Sequence, residues 1–256
     1  MNDRTLILIW TEDSQIFRAA SEIPNGSLLG LDDNVLNNAV GECIPENHLF
    51  PSWRDTLTEA QQPLSPDVYV KKHYGALRGY DGTPYVTELV MAEVEVLEII
   101  SKKAHPNVNK YLGCIRNGDT IAGICLKKHN FTLSDLVQGK IPADRAPPFH
   151  PDIIISGIKA ALDHIHSFGL VHDDLNPHNI MVDNDGNPII IDFDSCVAVG
   201  APSRGGTPGW SKSPKVAVFE NDTYSFELVA KFVQGEYDGM DFDFDFDENL
   251  DVVSPK

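Results

Sequence analysis

The stretch Val171-His172-Asp173-Asp174-Leu175-Asn176-Pro177-His178-Asn179-Ile180-Met181-Val182, followed after a polar turn by Ile189-Ile190-Ile191-Asp192-Phe193-Asp194, decides how this chain is read. It sets an acid at Asp174, an amide five residues later at Asn179, a hairpin signal over Asp183-Asn184-Asp185-Gly186-Asn187, and a second acid, Asp192, at the end of an apolar run. A carboxylate beside a hydroxyl can orient it and accept its proton. An amide oxygen and another carboxylate are hard oxygen ligands for a divalent cation such as Mg²⁺, which prefers a few such ligands beside phosphates. Any one of these residues alone reads as part of a polar loop; their order and spacing make the chemical reading.

Outwards from this stretch the elements are punctuated by familiar signals. A helix is expected from Pro151 to about Ser167, with Ile154, Ile158, Ala161, Leu162 and Ile165 on one face and Gly169 after its end. Further upstream, Val90, Val94, Leu97 and Ile100 recur at helical spacing with Glu93, Glu95 and Glu98 interleaved. That helix must stop before His105-Pro106, because the residue before proline disfavours the helical region. Tyr111 to Ile115 and Ile121 to Leu126 read as strands around an Asn117-Gly118-Asp119 turn, and Val68-Tyr69-Val70 as a strand running into Lys71-Lys72. Leu6 to Trp10 and the residues around Gln15 to Ala20 are two more candidate strands, whereas 24–66 holds mainly turn formers and short apolar runs. Strands come first and helices later, which suggests an α+β arrangement in two lobes rather than a doubly wound sheet.

The Asp174–Asn179 spacing and Asp192-Phe193-Asp194 resemble the H-R-D-L-x-x-x-N and D-F-G motifs of the protein-kinase-like superfamily. The resemblance implies a two-lobed kinase-like fold and roles by position. Asp174 would be the catalytic base, Asn179 a magnesium ligand and Asp192 the metal-chelating acid. Val68-Tyr69-Val70-Lys71 is similar to the family's V-A-I-K strand, so Lys71 would pair with nucleotide phosphates, with Lys72 the alternative because neighbouring strand residues face opposite ways. The helix carrying Glu93 resembles αC, with Glu93 as the lysine's partner; an ordinary solvated glutamate is the plain alternative. Leu126 to Lys128 would lie beside the adenine, and Cys125 reads as a small core residue. Gly205-Gly206-Thr207-Pro208-Gly209-Trp210 is similar to the end of an activation segment, and Glu220-Asn221-Asp222-Thr223-Tyr224-Ser225 to the start of αF, whose acid anchors the catalytic loop.

The pattern also breaks. Residues 47–66 contain no glycine, so the Gly-rich cradle over the phosphates is replaced or missing. Asp173 replaces the arginine that receives an activation-segment phosphate, which argues against switching on by that route. Asn176 stands where a lysine usually stabilises the transferring phosphoryl group; phosphotransferases of the aminoglycoside and choline type commonly lack that lysine. Asp194 replaces the D-F-G glycine, as in those relatives and in fungal kinase-like proteins. Ser213-Pro214-Lys215 occupies the A-P-E position with lysine for glutamate, and the chain ends soon after the αF-like helix, so a truncated, mainly helical C-lobe is expected.

The expected division is an N-lobe over 1–126 with an αC-like helix at 88–103, a C-lobe over 127–235, and an acidic tail over 236–256. The chain has 256 residues and a formal net charge of −18, which argues against nucleic acid or an anionic membrane as partner, since both need a positive footprint. From Glu236 to Lys256 there are eight acids and one base, so part of that charge belongs to a tail expected to be disordered. Its Asp241-Phe242-Asp243-Phe244-Asp245-Phe246-Asp247 alternation would also suit strand addition with a protein partner, whereas a calcium loop fails at Phe246 and Val252. Four scattered cysteines without CxxC spacing, no membrane-length apolar run and no signal peptide suggest an intracellular, cytoplasmic protein. The expectation is a phosphotransferase using ATP and Mg²⁺ to phosphorylate a hydroxyl-bearing protein or small molecule. The alternative is a pseudokinase that binds a nucleotide or a partner protein without turnover.

Overall fold

A computed structural model describes residues 4–13, 15–23, 40–212 and 214–237. The readings made above for the acidic tail beyond Tyr237, and for Ser213 in the A-P-E position, lie outside the described residues. The first three strands, β1 (Arg4–Glu12), β2 (Gln15–Ile23) and β3 (Glu42–Ile44), form an antiparallel sheet in that order, followed by a single helical turn, α1 (Glu46–Leu49). A second antiparallel sheet is built from β4 (Val68–Lys71), β5 (Tyr111–Asn117) and β6 (Thr120–Lys127) in the order β4-β6-β5. The β5–β6 turn forms where Asn117-Gly118-Asp119 signals it, with Asn117 paired to Thr120 and Gly118 at a positive φ of 57°.

Between β4 and β5 lies α2 (Tyr85–Ile100), which buries Val86, Val90, Val94, Leu97 and Ile100. The helix thus starts three residues before, and ends three residues before, the 88–103 expected from sequence. Pro84 supplies a compatible φ of −75° for an earlier first turn, and the amides of Thr87 and Glu88 donate to its carbonyl. At the other end the amides of Lys102 and Lys103 reach only three residues back, to Ile99 and Ile100, so the chain tightens out of the α-helix before His105-Pro106.

Residues 51–60, opaque in sequence, strap the back of this unit. The Trp53 amide donates to Asp119 O, the Ala60 amide to Cys114 O, and the Cys114 amide to Thr58 O. From the strap, Arg54 reaches Glu95 at 2.5 Å, while the Thr58 amide and hydroxyl donate to Glu98 at 2.6 and 2.9 Å. Glu95 and Glu98 therefore hold the outer side of α2, which leaves Glu93 as its buried acid.

The later half is mainly helical. β7 (Phe131–Thr132) leads into α3 (Leu133–Val137), and α4 (Pro151–His166) buries the five apolar residues expected of it. β8 (Leu170–Val171) pairs with β11 (Val197–Ala198), and β9 (Ile180–Val182) lies between β7 and β10 (Pro188–Ile190). A Cβ on Gly157 would stand 2.6 Å from the Pro188 ring, so glycine lets α4 lie against β10. The chain then enters α5 (Phe219–Val233), which packs on α4 and supplies Val229, Phe232 and Val233 to the core. The result is an α+β, two-lobed kinase-like fold whose motif-bearing loops meet between the lobes. Among the described residues no helix is long and apolar enough to cross a membrane.

Candidate active site

Lys71 ends β4, and strand alternation sends its side chain opposite to that of Lys72, whose ammonium lies 5.6 Å from the Tyr74 ring centroid. Lys71 Nζ stands 2.9 Å from Glu93 Oε1, 2.5 Å from Asp192 Oδ1 and 4.0 Å from Asp194 Oδ2. Glu93 is fully buried, and a buried carboxylate is tolerable only when paired and hydrogen-bonded. Its Oε1 also accepts the Phe193 amide at 3.3 Å, and its Oε2 meets His73 Nε2 at 2.7 Å. Burial opposes the charge on Lys71, but Glu93, Asp192 and Asp194 outweigh it and raise the lysine pKa. Burial likewise works against Glu93, yet Lys71 and His73 bring its carboxyl below the ordinary range. Burial and the neighbouring Asp192 push Asp194 up.

Below this cluster lies the loop after β8. The fully buried Asp222, in the first turn of α5, accepts the amides of His172 at 2.8 Å and Asp173 at 2.9 Å, and meets His166 Nε2 at 2.7 Å. This clamp holds Asp173 at a positive φ of 66°, a conformation that costs a non-glycine residue about 1 kcal/mol or more. Asp174 Oδ1 accepts the Thr207 amide at 2.7 Å and hydroxyl at 2.8 Å, and Asp174 Oδ2 accepts Asn179 Nδ2 at 3.0 Å. Burial raises the Asp174 carboxyl above the ordinary aspartate value despite those bonds from Thr207. Asn176 turns inward: its Nδ2 reaches Asp174 and Thr207, and its Oδ1 accepts the amides of His178 and Asn179.

The two clusters are joined through backbone. The Ile191 amide donates to Asn179 O at 3.0 Å, and His172 Nε2 lies 3.0 Å from Ile191 O, so Asp192 follows directly from a residue bonded to Asn179. Asp192 itself has a positive φ of 63°. The structure therefore brings Lys71, Glu93 and Asp192 into one ionic network and Asp174 and Asn179 into a hydrogen-bonded one, with the two adjacent. Leu126 is paired with Tyr69, two residues before Lys71 on the same strand face, and is buried in the core. Cys125 is buried, with its thiol pushed up by desolvation. Asp183 accepts the amides of Asp185 and Asn187, which makes that stretch a turn.

Sequence reasoning missed His73, Thr207 in its contact with Asp174, and His166 as a partner of Asp222. Alternation could have found His73, two residues beyond Lys71; nothing local could have found the other two, 33 and 56 residues from their partners.

A family model described as the protein kinase domain matches residues 69–226, more than half of the chain. The mitogen-activated protein kinase kinase kinase ANP1 of Arabidopsis thaliana is 24% identical over 256 aligned residues, covering 84% of this chain and 37% of the relative. The serine/threonine-protein kinase/endoribonuclease IRE2 of Homo sapiens is 29% identical over 135 residues, covering 48% and 14%. The serine/threonine-protein kinase PSK1 of Saccharomyces cerevisiae is 29% identical over 114 residues, covering 43% and 8%. The chain spans well under half the length of these curated relatives. The matched region contains both networks, from Lys71 to Asp222, and on this match the chain belongs to the protein kinase domain family.

Proposed function

We propose that this chain is a phosphotransferase that moves the γ-phosphoryl group of ATP to a hydroxyl of a protein or small molecule. The observation that carries the reading is Lys71 Nζ held between Glu93, 2.9 Å away, and Asp192, 2.5 Å away. A fixed ammonium of this kind pairs with nucleotide phosphates, and Glu93, itself fastened by His73, keeps it aimed into the cleft. Asp192 and the Asn179 amide oxygen offer a carboxylate and a neutral oxygen from adjacent backbone, a donor set that fits Mg²⁺ with its other ligands drawn from water and phosphate. Bound there, Mg²⁺ would neutralise charge on the phosphate oxygens. Among the described residues no group of three or more His, Cys, Asp or Glu is placed to hold a metal.

In the proposed transfer, the acceptor oxygen attacks the γ-phosphorus, the bond to the β–γ bridging oxygen breaks, and ADP leaves. The acceptor's proton passes to Asp174. Burial lifts the Asp174 carboxyl, which strengthens it as a base, while Asn179 and Thr207 fix its orientation. Asn176 is spent on closing the loop and supplies no cation to the transferring group. A scaffold that binds nucleotide without turnover is the second reading. It is favoured by β4, which among the described residues is an edge strand of its sheet with no glycine-rich strand beside it.

The deciding measurement is ATP consumption and thermal stabilisation by ATP with Mg²⁺. Asp192→Ala should lose the Mg²⁺-dependent stabilisation. Asp174→Asn should keep it and lose turnover by on the order of 10³-fold, the usual weight of a positioned base. Absence of turnover in the wild type, with stabilisation unchanged in Asp192→Ala, would rule out the enzyme.

A further inference from the structure

Asp173 is 4% exposed, and its carboxylate takes partners other than those of Asp174. Its Oδ2 accepts the Ser203 hydroxyl at 2.6 Å and the Arg204 amide at 3.1 Å, and its Oδ1 accepts Asn221 Nδ2 at 3.0 Å. Ser203 is tied in twice more: its oxygen accepts the Gly205 amide at 3.0 Å, and its own amide donates to Lys215 O at 3.1 Å. Next along the chain, a Cβ on Gly206 would stand 2.9 Å from Asp173 O, so only glycine lets the segment lie this close. Thr207 follows, and its amide and hydroxyl both end on Asp174 Oδ1. One buried carboxylate thus fastens Ser203 and Arg204 to the loop, Ser203 in turn holds Gly205, and that docking delivers Thr207 to Asp174.

We propose that Asp173 is a positioning residue that docks residues 203–207 through the unmodified Ser203 hydroxyl, and that a phosphate on Ser203 releases the segment and switches the site off. Transfer of a phosphoryl group from ATP by a protein kinase, with ADP leaving and the hydroxyl proton lost, would remove the O–H that Asp173 accepts and place about two negative charges beside a buried carboxylate. The adjacent guanidinium of Arg204 is engaged elsewhere, donating to Asp194 O at 2.5 Å. The docking stands on geometry and is read by cleavage. The switching rests on the phosphotransferase reading and is read by ATP turnover, which Ser203→Asp should lower in parallel with the loss of docking. Unchanged turnover in an undocked Ser203→Asp would overturn the switching.

The test uses the full chain with Ser203→Asp, Ser203→Ala, Ser203→Thr, Asp173→Asn and the double variant Asp173→Asn/Ser203→Asp. Limited trypsin cleavage after Arg204, followed by intact mass, reads the docking. Cleavage after Lys159, exposed on α4, reports general unfolding. Ser203→Asp should speed cleavage after Arg204 about tenfold and Ser203→Ala about threefold, the scale expected when a buried acceptor loses its partner, with Lys159 unchanged. Ser203→Thr should match the wild type. In the double variant, the uncharged amide at position 173 can donate to the carboxylate introduced at position 203. Cleavage should then return to within about twofold of wild type, a rescue that a merely structural role would not show. Equal protection in Ser203→Asp, as would follow if Arg204 captured the new charge, overturns the proposal. So does failure of Asp173→Asn to rescue, or cleavage after Lys159 rising in parallel. Absence of ATP turnover in the wild type counts against the phosphotransferase reading and leaves the cleavage comparison to decide the docking.

Discussion

The floor of the cleft and its roof are held by different means. On the floor, Asp222 accepts two successive backbone amides of the loop after β8, Asn176 closes that loop on itself, and Thr207 and Asn179 fix the Asp174 carboxylate. On the roof, β4 is the edge of its sheet among the described residues, and the hairpin of β1 and β2 pairs with β3 instead. Arg18 on β2 fastens that hairpin to the carbonyls of Leu77 and Arg78, at 2.8 and 3.1 Å, in the turn before α2. Chemistry that needs sub-ångström placement belongs on the rigid side, while an open edge tolerates substitution. In the proposed reading the candidate reacting groups are buttressed, and nucleotide phosphates would depend on Lys71, with no backbone cradle beside β4 among the described residues.

Removing the floor's anchor is the most severe way to break this comparison. Asp222→Ala would leave the amides of His172 and Asp173 and the ring of His166 without their buried acceptor, at a cost of about 3 kcal/mol. Urea denaturation with hydrogen exchange at residues 172 and 173 measures it; a loss under about 1 kcal/mol would show that the loop holds itself.

Glu93→Gln comes next and addresses the junction of floor and roof. Taking the charge from a buried, doubly paired carboxylate should cost about 2 kcal/mol at neutral pH and weaken ATP binding, because Lys71 is left to Asp192 and Asp194. The pH dependence has a definite sign. The Glu93 pKa is depressed from 4.5, so its stabilisation is complete above that value and is lost as pH falls through the folded pKa. The Lys71 pKa is raised from 10.5, so its contribution is complete below that value and is lost as pH rises through the folded pKa. The wild-type advantage over Glu93→Gln should therefore be flat between those limits and shrink in acid, as read from urea midpoints across pH. An advantage that grew on acidification would contradict the assignment of Glu93 as the charged partner.

The smallest effect is expected on the roof. Arg18→Ala should loosen the hairpin by about 1 kcal/mol, as the hydrogen bonds to Leu77 O and Arg78 O are lost, with ATP affinity unchanged. A parallel fall in ATP affinity would mean that the hairpin covers the nucleotide after all, and that roof and floor are more alike than their hydrogen bonds indicate.

Much of this arrangement was legible locally. The Val90–Val94–Leu97–Ile100 stripe, the turn at Asn117-Gly118-Asp119 and the helix from Pro151 all report hydrogen bonding within a few residues, which periodicity and turn chemistry encode directly. The candidate site was legible for a related reason: the Asp174-to-Asn179 spacing is set within one loop, and the Asp192 position follows from one hairpin. The strap at 51–60 was not legible, because its backbone partners lie on β5, β6 and the turn between them, and its value comes from Glu95 and Glu98 across space.

By itself, then, the sequence determined the longer helices and the main hairpins, the order and spacing of the chemical side chains, and that Asp173 and Asn176 depart from the family's pattern. Tertiary structure alone decided that the first hairpin pairs with β3 rather than with β4, that Glu93 is shared by Lys71 and His73, and that Asp173 became the dock for Ser203. The physical reason is range. Local hydrogen bonds are satisfied by near neighbours, whereas a buried carboxylate takes whatever donors the folded chain brings to it, and for Asp173 these come from 30 to 48 residues away.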